Sequence, residues 1–121
     1  MAKPVVVVVD DQITICETIK SVLYGMYDVH TFTDGKEAMS YMHKNPVDMI
    51  LLDYQMPGMT GYEVLMAVRS HKSTIQTPVI FLTAETNERM KMEMLERGAS
   101  DYINKPIDST ALHSSIRKFL K

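Results

Sequence analysis

Tryptophan is absent, cysteine occurs once, and basic residues do not outnumber acidic ones in this chain of 121 residues. The lone cysteine, Cys16, excludes an internal disulfide. Thirteen Lys and Arg against fifteen Asp and Glu leave a net charge of −2, so no overall positive field exists to hold nucleic acid or an anionic membrane. Long apolar runs are missing too. The opening valine run ends at Asp10 and Asp11, too short to span a membrane, and no small-residue cleavage site of a signal peptide accompanies it. A cytoplasmic protein without membrane insertion is therefore expected. The length suits about one domain, taken here as residues 1–121. Eleven methionines read as adaptable packing.

What is present is an alternation. Val5 to Val9 is a continuous β-branched run, as a strand buried on both faces requires. Met49 to Leu52 and Pro78 to Leu82 read the same way, with Tyr27 to Phe32 and Asp101 to Ile103 as weaker strands. Between them Ile15, Ile19, Val22 and Leu23 fall on one helical face. Leu65 with Val68, and Leu112 with Ile116 and Phe119, repeat that pattern, and Ala38 with Met42 does so less cleanly. Asp34 with Glu37 and Thr60 with Glu63 have the spacing of capping boxes. Gly98 after Arg97 suits a left-handed helix stop, and Asp108 suits a cap for the last helix. Five β-α repeats with helical crossovers imply parallel strands, right-handed connections and helices on both faces of one sheet. The expected fold is α/β, a three-layer doubly wound sandwich with its site at the carboxyl ends of the strands.

Five chemically active residues fall at those ends: Asp10 and Asp11, Asp53, Thr83, and Lys105 just beyond the fifth strand. One Asp after a strand is usually a helix cap or a solvated turn, but five such residues at one sheet edge form a site. Three carboxylates in one crevice repel unless a cation sits among them. Hard oxygen donors without His or Cys select Mg²⁺ over zinc. The turn Asp10-Asp11-Gln12-Ile13 also lacks the Gly-rich or hydroxyl-rich loop that cradles a nucleotide phosphate, which argues against a bound dinucleotide.

Four motifs carry a resemblance to a family: Val-Val-Asp-Asp at 8–11, Leu-Leu-Asp-Tyr-Gln-Met-Pro-Gly-Met-Thr-Gly-Tyr-Glu at 51–63, Phe-Leu-Thr-Ala at 81–84 and Gly-Ala-Ser-Asp-Tyr-Ile-Asn-Lys-Pro-Ile at 98–107. In this order and spacing they resemble the receiver domain of two-component response regulators over essentially the whole chain, with the single-domain chemotaxis regulators as the nearest type. The resemblance implies the flavodoxin-like (βα)5 strand order. It implies that Asp53 is the phosphoacceptor, that Asp10 and Asp11 hold Mg²⁺ together with Asp53 and the Gln55 carbonyl, and that Lys105 neutralises a phosphoryl oxygen. It further implies a cis Lys105–Pro106 bond, and a switch in which Thr83 turns toward the phosphoryl group while Tyr102 packs inward. Partners would be a histidine kinase or histidine phosphotransfer protein upstream and an effector downstream, docking around the fourth helix, fifth strand and fifth helix. Met90, Met92 and Met94 lie in that fourth helix and read as core first, with any exposed one suited to docking. Gln55 and Glu85 stand where receivers tune phosphoryl lifetime. Thr60 replaces a frequent Asp but still caps. His30, His43, His71 and His113 show no ligand spacing.

Two competing readings fare worse. A phosphorylation-independent interaction module of the same fold would be expected to lose one of the acidic pair, acceptor, threonine or lysine, and all are present. A phosphatase acting on free small molecules through an aspartyl nucleophile needs a carboxylate two residues later as general acid. That position is Gln55. The expected activity is confined to the chain's own phosphorylation and dephosphorylation.

Overall fold

The computed structural model describes residues 2–120. Strands and helices alternate in the order β1 (Val5–Val9), α1 (Ile13–Val22), β2 (Asp28–Phe32), α2 (Gly35–Lys44), β3 (Met49–Asp53), α3 (Gly61–Ser70), β4 (Val79–Thr83), α4 (Glu88–Glu96), β5 (Asp101–Asn104) and α5 (Ser109–Phe119). All strand pairs are parallel, in the order β2-β1-β3-β4-β5. The change of direction therefore falls between β1 and β3, where this topology opens a crevice.

Strand alternation divides the core in two. Val7, Val9, Ile50, Leu52 and Phe81 pack with Ala38, Met42, Val64, Val68 and Met94 under α2, α3 and α4. Val6, Val8, Leu51, Ile80 and Leu82 pack on the other face with Cys16, Ile19, Leu112 and Ile116 of α1 and α5. Every residue of β3 and β4 is buried, which is why these runs read as unbroken apolar sequence. The strands run one residue past their apolar stretches: Asp53 pairs with Leu82, and Thr83 with Asn104. Ladder bonds are made by backbone, so a polar side chain does not end the strand.

Caps set the helix starts. Thr60 and Glu63 make a complete capping box, and Asp108 accepts from Ala111 N–H at 2.8 Å. The pair expected at Asp34 and Glu37 does not form: Asp34 accepts from Lys36 N–H at 2.8 Å instead. Its carboxylate closes a tighter ring on the second helical residue and leaves Glu37 in its first turn without a reciprocal role. Gly98 takes φ +116, the left-handed stop expected there. Arg69 ties the far end of α4 down: its guanidinium donates to the carbonyls of Gly98 (3.0 Å), Thr77 (2.6 Å) and Ile75 (3.3 Å). Of the three methionines of α4, Met94 is fully buried, Met90 is half-buried, and Met92 is 55% exposed.

Gly61 starts α3 directly behind the end of β3. A Cβ there would lie 2.6 Å from the Asp53 carbonyl oxygen and 2.8 Å from that of Tyr54. These are backbone atoms that cannot rotate away. Gly61→Ala is expected to lose about 2 kcal/mol of unfolding free energy from this overpacking, although alanine is the better helix former by about 1 kcal/mol. Urea denaturation gives the value directly. An unchanged midpoint would mean that the β3–α3 junction yields.

Candidate functional site

The carboxyl ends of β1, β3 and β4, with the residue after β5, enclose a cleft of about 260 Å³ lined by Asp11, Gln12, Asp53, Gln55, Thr83 and Lys105 among others. Oxygens of Asp10, Asp11 and Asp53 lie within 4.8 Å of one another; Asp10 and Asp53 are buried and Asp11 is exposed. Lys105 enters the site from the turn after β5. Its Nζ sits 2.9 Å from Asp10 Oδ2, 3.2 Å from Asp53 Oδ1 and 3.2 Å from Gln12 Oε1. The Lys105–Pro106 bond is cis, as the resemblance implies.

Backbone donors hold the two buried carboxylates in place. Gln12 N–H donates to Asp10 Oδ1 at 2.9 Å, and Gln55 N–H to Asp53 Oδ1 at 3.2 Å. Asp10 Oδ2 is left with the lysine as a close ion pair but without an aligned hydrogen-bond donor. Three carboxylates thus face one ammonium, and one fully buried oxygen has unused acceptor capacity. An all-oxygen set of this charge fits a small hard dication such as Mg²⁺.

Thr83 Oγ1 accepts from Glu85 N–H at 2.9 Å, which leaves the hydroxyl hydrogen free to donate elsewhere. Two residues lie outside the immediate cluster. Tyr102 is half-buried on β5 with Lys91 Nζ 5.1 Å from its ring centroid. The Glu85 carboxylate accepts from Asn87 N–H at 2.9 Å. Reading the sequence alone missed Gln12 as a partner of Lys105. The two are 93 residues apart, and the only signal available was the place of Gln12 in the first strand-end turn.

Burial and charge act strongly here. Burial foremost, then the Asp10 charge and the contact with Asp11, push the Asp53 carboxyl up from 3.8 to about 7, with Lys105 pulling the other way. Burial opposes the charge on Lys105, but the carboxylates of Asp10 and Asp53 outweigh it and raise the lysine above its ordinary value. A carboxyl raised on folding holds a proton that the unfolded chain has released. Its stabilising contribution is full below about pH 4 and is lost as pH climbs through about 7. In metal-free buffer, Asp53→Asn is therefore expected to melt at least ~3 °C above the parent at pH 8 and within about 1 °C of it at pH 4. Melts at both pH values test this; an equal offset at both would remove Asp53 ionisation as the cause.

The chain is similar to known proteins over this whole arrangement. The family model "Response regulator receiver domain" matches residues 6–117. The transcriptional regulatory protein DltR of Streptococcus agalactiae is 37% identical over 111 residues, covering 91% of this chain and 49% of the relative. PcoR of Escherichia coli is 37% identical over 95 residues, covering 78% of this chain and 41% of that protein. The chain spans about half or less of the length of these curated relatives. Among solved structures, the chemotaxis protein CheY4 of Vibrio cholerae superposes with a TM-score of 0.92 at 35% identity, covering 98% of this chain and all of the other. The receiver domain of the sensor histidine kinase PA1611 of Pseudomonas aeruginosa, described with a magnesium ion coordinated in its active-site cleft, gives 0.88 at 25% identity and covers 98% of both chains. A doubly wound sheet with three acidic groups and a lysine at its switch point, matched from β1 to α5, places this chain in the response regulator receiver domain family, the phosphoacceptor signalling domains of two-component systems.

Proposed function

We propose that Asp53 is the phosphoacceptor of this receiver and that residues 1–121 act as one signalling unit. The observation that carries the reading is the position of Asp53: last residue of the central strand, buried, and 3.2 Å from the Lys105 ammonium. A histidine kinase or histidine phosphotransfer protein would be the donor. An Asp53 carboxylate oxygen attacks phosphorus, the bond from phosphorus to the donor imidazole breaks, and its electron pair stays on the imidazole nitrogen.

Asp10, Asp11, Asp53 and the Gln55 carbonyl would hold Mg²⁺, which when bound offsets charge on the phosphoryl oxygens. Lys105 would also offset charge there as a compact ammonium. Gln12 shares that ammonium and limits where it can swing. The Thr83 hydroxyl, anchored as an acceptor by Glu85 N–H, donates its own hydrogen toward the phosphoryl group, and Tyr102 repacks with it. A downstream effector then reads the face around α4 and β5, where Met92 stands exposed. In the return step a water oxygen attacks phosphorus, and the bond to Asp53 breaks with its electron pair kept on the carboxylate. Inorganic phosphate leaves carrying the water's oxygen, while a proton from that water passes to the phosphate or to solvent. Catalysis thus acts on the chain's own aspartate rather than on a separate substrate.

Incubation with a small phosphodonor and Mg²⁺ should add one labile phosphoryl mass, absent from Asp53→Asn and absent when the metal is chelated. Intact-mass spectra under mild conditions read this out. An adduct that persists in Asp53→Asn would falsify the assignment. Lifetime forms a second test. Gln55 lines the cleft while the Glu85 carboxylate is engaged on Asn87. Gln55→Ala should change the dephosphorylation rate about tenfold, which corresponds to about 1.4 kcal/mol in the barrier. Glu85→Ala should change it less than about threefold. Phosphate release measures both rates, and a larger effect at Glu85 than at Gln55 would overturn this ranking.

A further inference from the structure

Outside the cleft, the Lys91 side chain is half-buried and its ammonium has no close carboxylate. Its side chain on α4 is 12% exposed, and Glu88 Oε1 approaches it only to 4.0 Å from a side chain that is 83% exposed. Its Nζ donates instead to Asn104 Oδ1 on β5 at 3.1 Å and lies 5.1 Å from the Tyr102 ring centroid. Asn104 passes the connection on. Its Nδ2 donates to the Glu85 carbonyl at 2.8 Å and reaches that of Thr83 at 3.4 Å. Glu85 N–H in turn donates to Thr83 Oγ1 at 2.9 Å.

Donor and acceptor chemistry makes this chain directional. Lysine can only donate, and a peptide carbonyl can only accept. With both present, the Asn104 amide has one satisfying orientation: oxygen toward Lys91, nitrogen toward Glu85. Without the ammonium, the amide is free to rotate and its grip on the loop weakens. The Glu85 residue is held at both ends, its N–H on the Thr83 hydroxyl and its C=O on Asn104. Any rearrangement of the β4–α4 loop around an anion on Asp53 has to break or remake these bonds. The same lysine covers the ring of Tyr102.

We infer that Lys91 is a positioning residue that holds the β4–α4 loop and Tyr102 in the resting arrangement through the Asn104 amide. Removing it lowers the cost of leaving that arrangement, so the competent population and the apparent affinity for a phosphoryl analogue both rise. The affinity part rests on the reading of Asp53 as phosphoacceptor; the loop part does not.

Two measurements separate these parts. Amide hydrogen exchange is recorded with no metal or anion present on the parent, Lys91→Met and Lys91→Arg. Lys91→Met keeps the apolar stem, and its Glu85 amide should exchange about tenfold faster. Lys91→Arg, which keeps a cationic donor, should stay within about twofold of the parent. Beryllofluoride is then titrated in saturating Mg²⁺ and followed by fluorine NMR. Lys91→Met and Asn104→Leu should each bind about fivefold tighter than the parent, and the double variant no tighter than either single one. Unchanged Glu85 exchange, weaker binding in Lys91→Met, or additive effects in the double variant would overturn the inference. If the parent forms no beryllofluoride complex, the phosphoacceptor reading fails instead, and the exchange comparison still decides the role of Lys91.

Discussion

Two carboxylates buried at the end of a hydrophobic sheet can persist only if something opposes their charge, and here that is the single ammonium of Lys105. Removing one partner from such a cluster leaves an uncompensated buried charge, far costlier than losing a surface ion pair. The demand reaches into the fold: β1 must deliver Asp10, β3 must deliver Asp53, and the turn after β5 must return the lysine over both. Parallel strands in the order β2-β1-β3-β4-β5 do this because all of them end on the same edge.

The compensation is incomplete, and that is what makes the site chemical rather than structural. Burial first, and then one ammonium set against three carboxylates, hold the Asp53 carboxyl above its ordinary range, and Asp10 keeps an oxygen lacking an aligned donor. A fully satisfied cluster would be more stable and inert. Under the proposed function, this one would be relieved when a cation and a phosphoryl group enter together.

Much of this was legible in the residue order. The β-branched and apolar runs of β1, β3 and β4 announced strands buried on both faces, and the acidic pair, Asp53, Thr83 and Lys105 stood at their ends. The apolar runs stop one residue before the strands do, at Asp53, Thr83 and Asn104, because hydropathy marks where apolar side chains end and not where backbone pairing ends. Less accessible were contacts made by neutral amides and backbone oxygens. Gln12 on Lys105, Asn104 on Glu85 and Arg69 on four separate loop carbonyls leave no charge pattern or spacing to find. The stacking of His43 on His71, ring centroids 4.1 Å apart, likewise depends on how α2 and α3 meet rather than on any local motif.

The Arg69 clamp makes α4 mechanically asymmetric. At its carboxyl end the guanidinium, a group that stays charged throughout the physiological pH range, binds Gly98 to the loop before β4. At its amino end the helix is joined to the sheet by the β4–α4 loop, whose Asn87 side chain caps it, and by the lighter Lys91 contact with Asn104. A rod fixed firmly at one end and tethered at the other responds to a push by tilting about the fixed point. Small displacements beside Asp53 would then grow along the rod with distance from that fulcrum and act most on the half of α4 that precedes Met92.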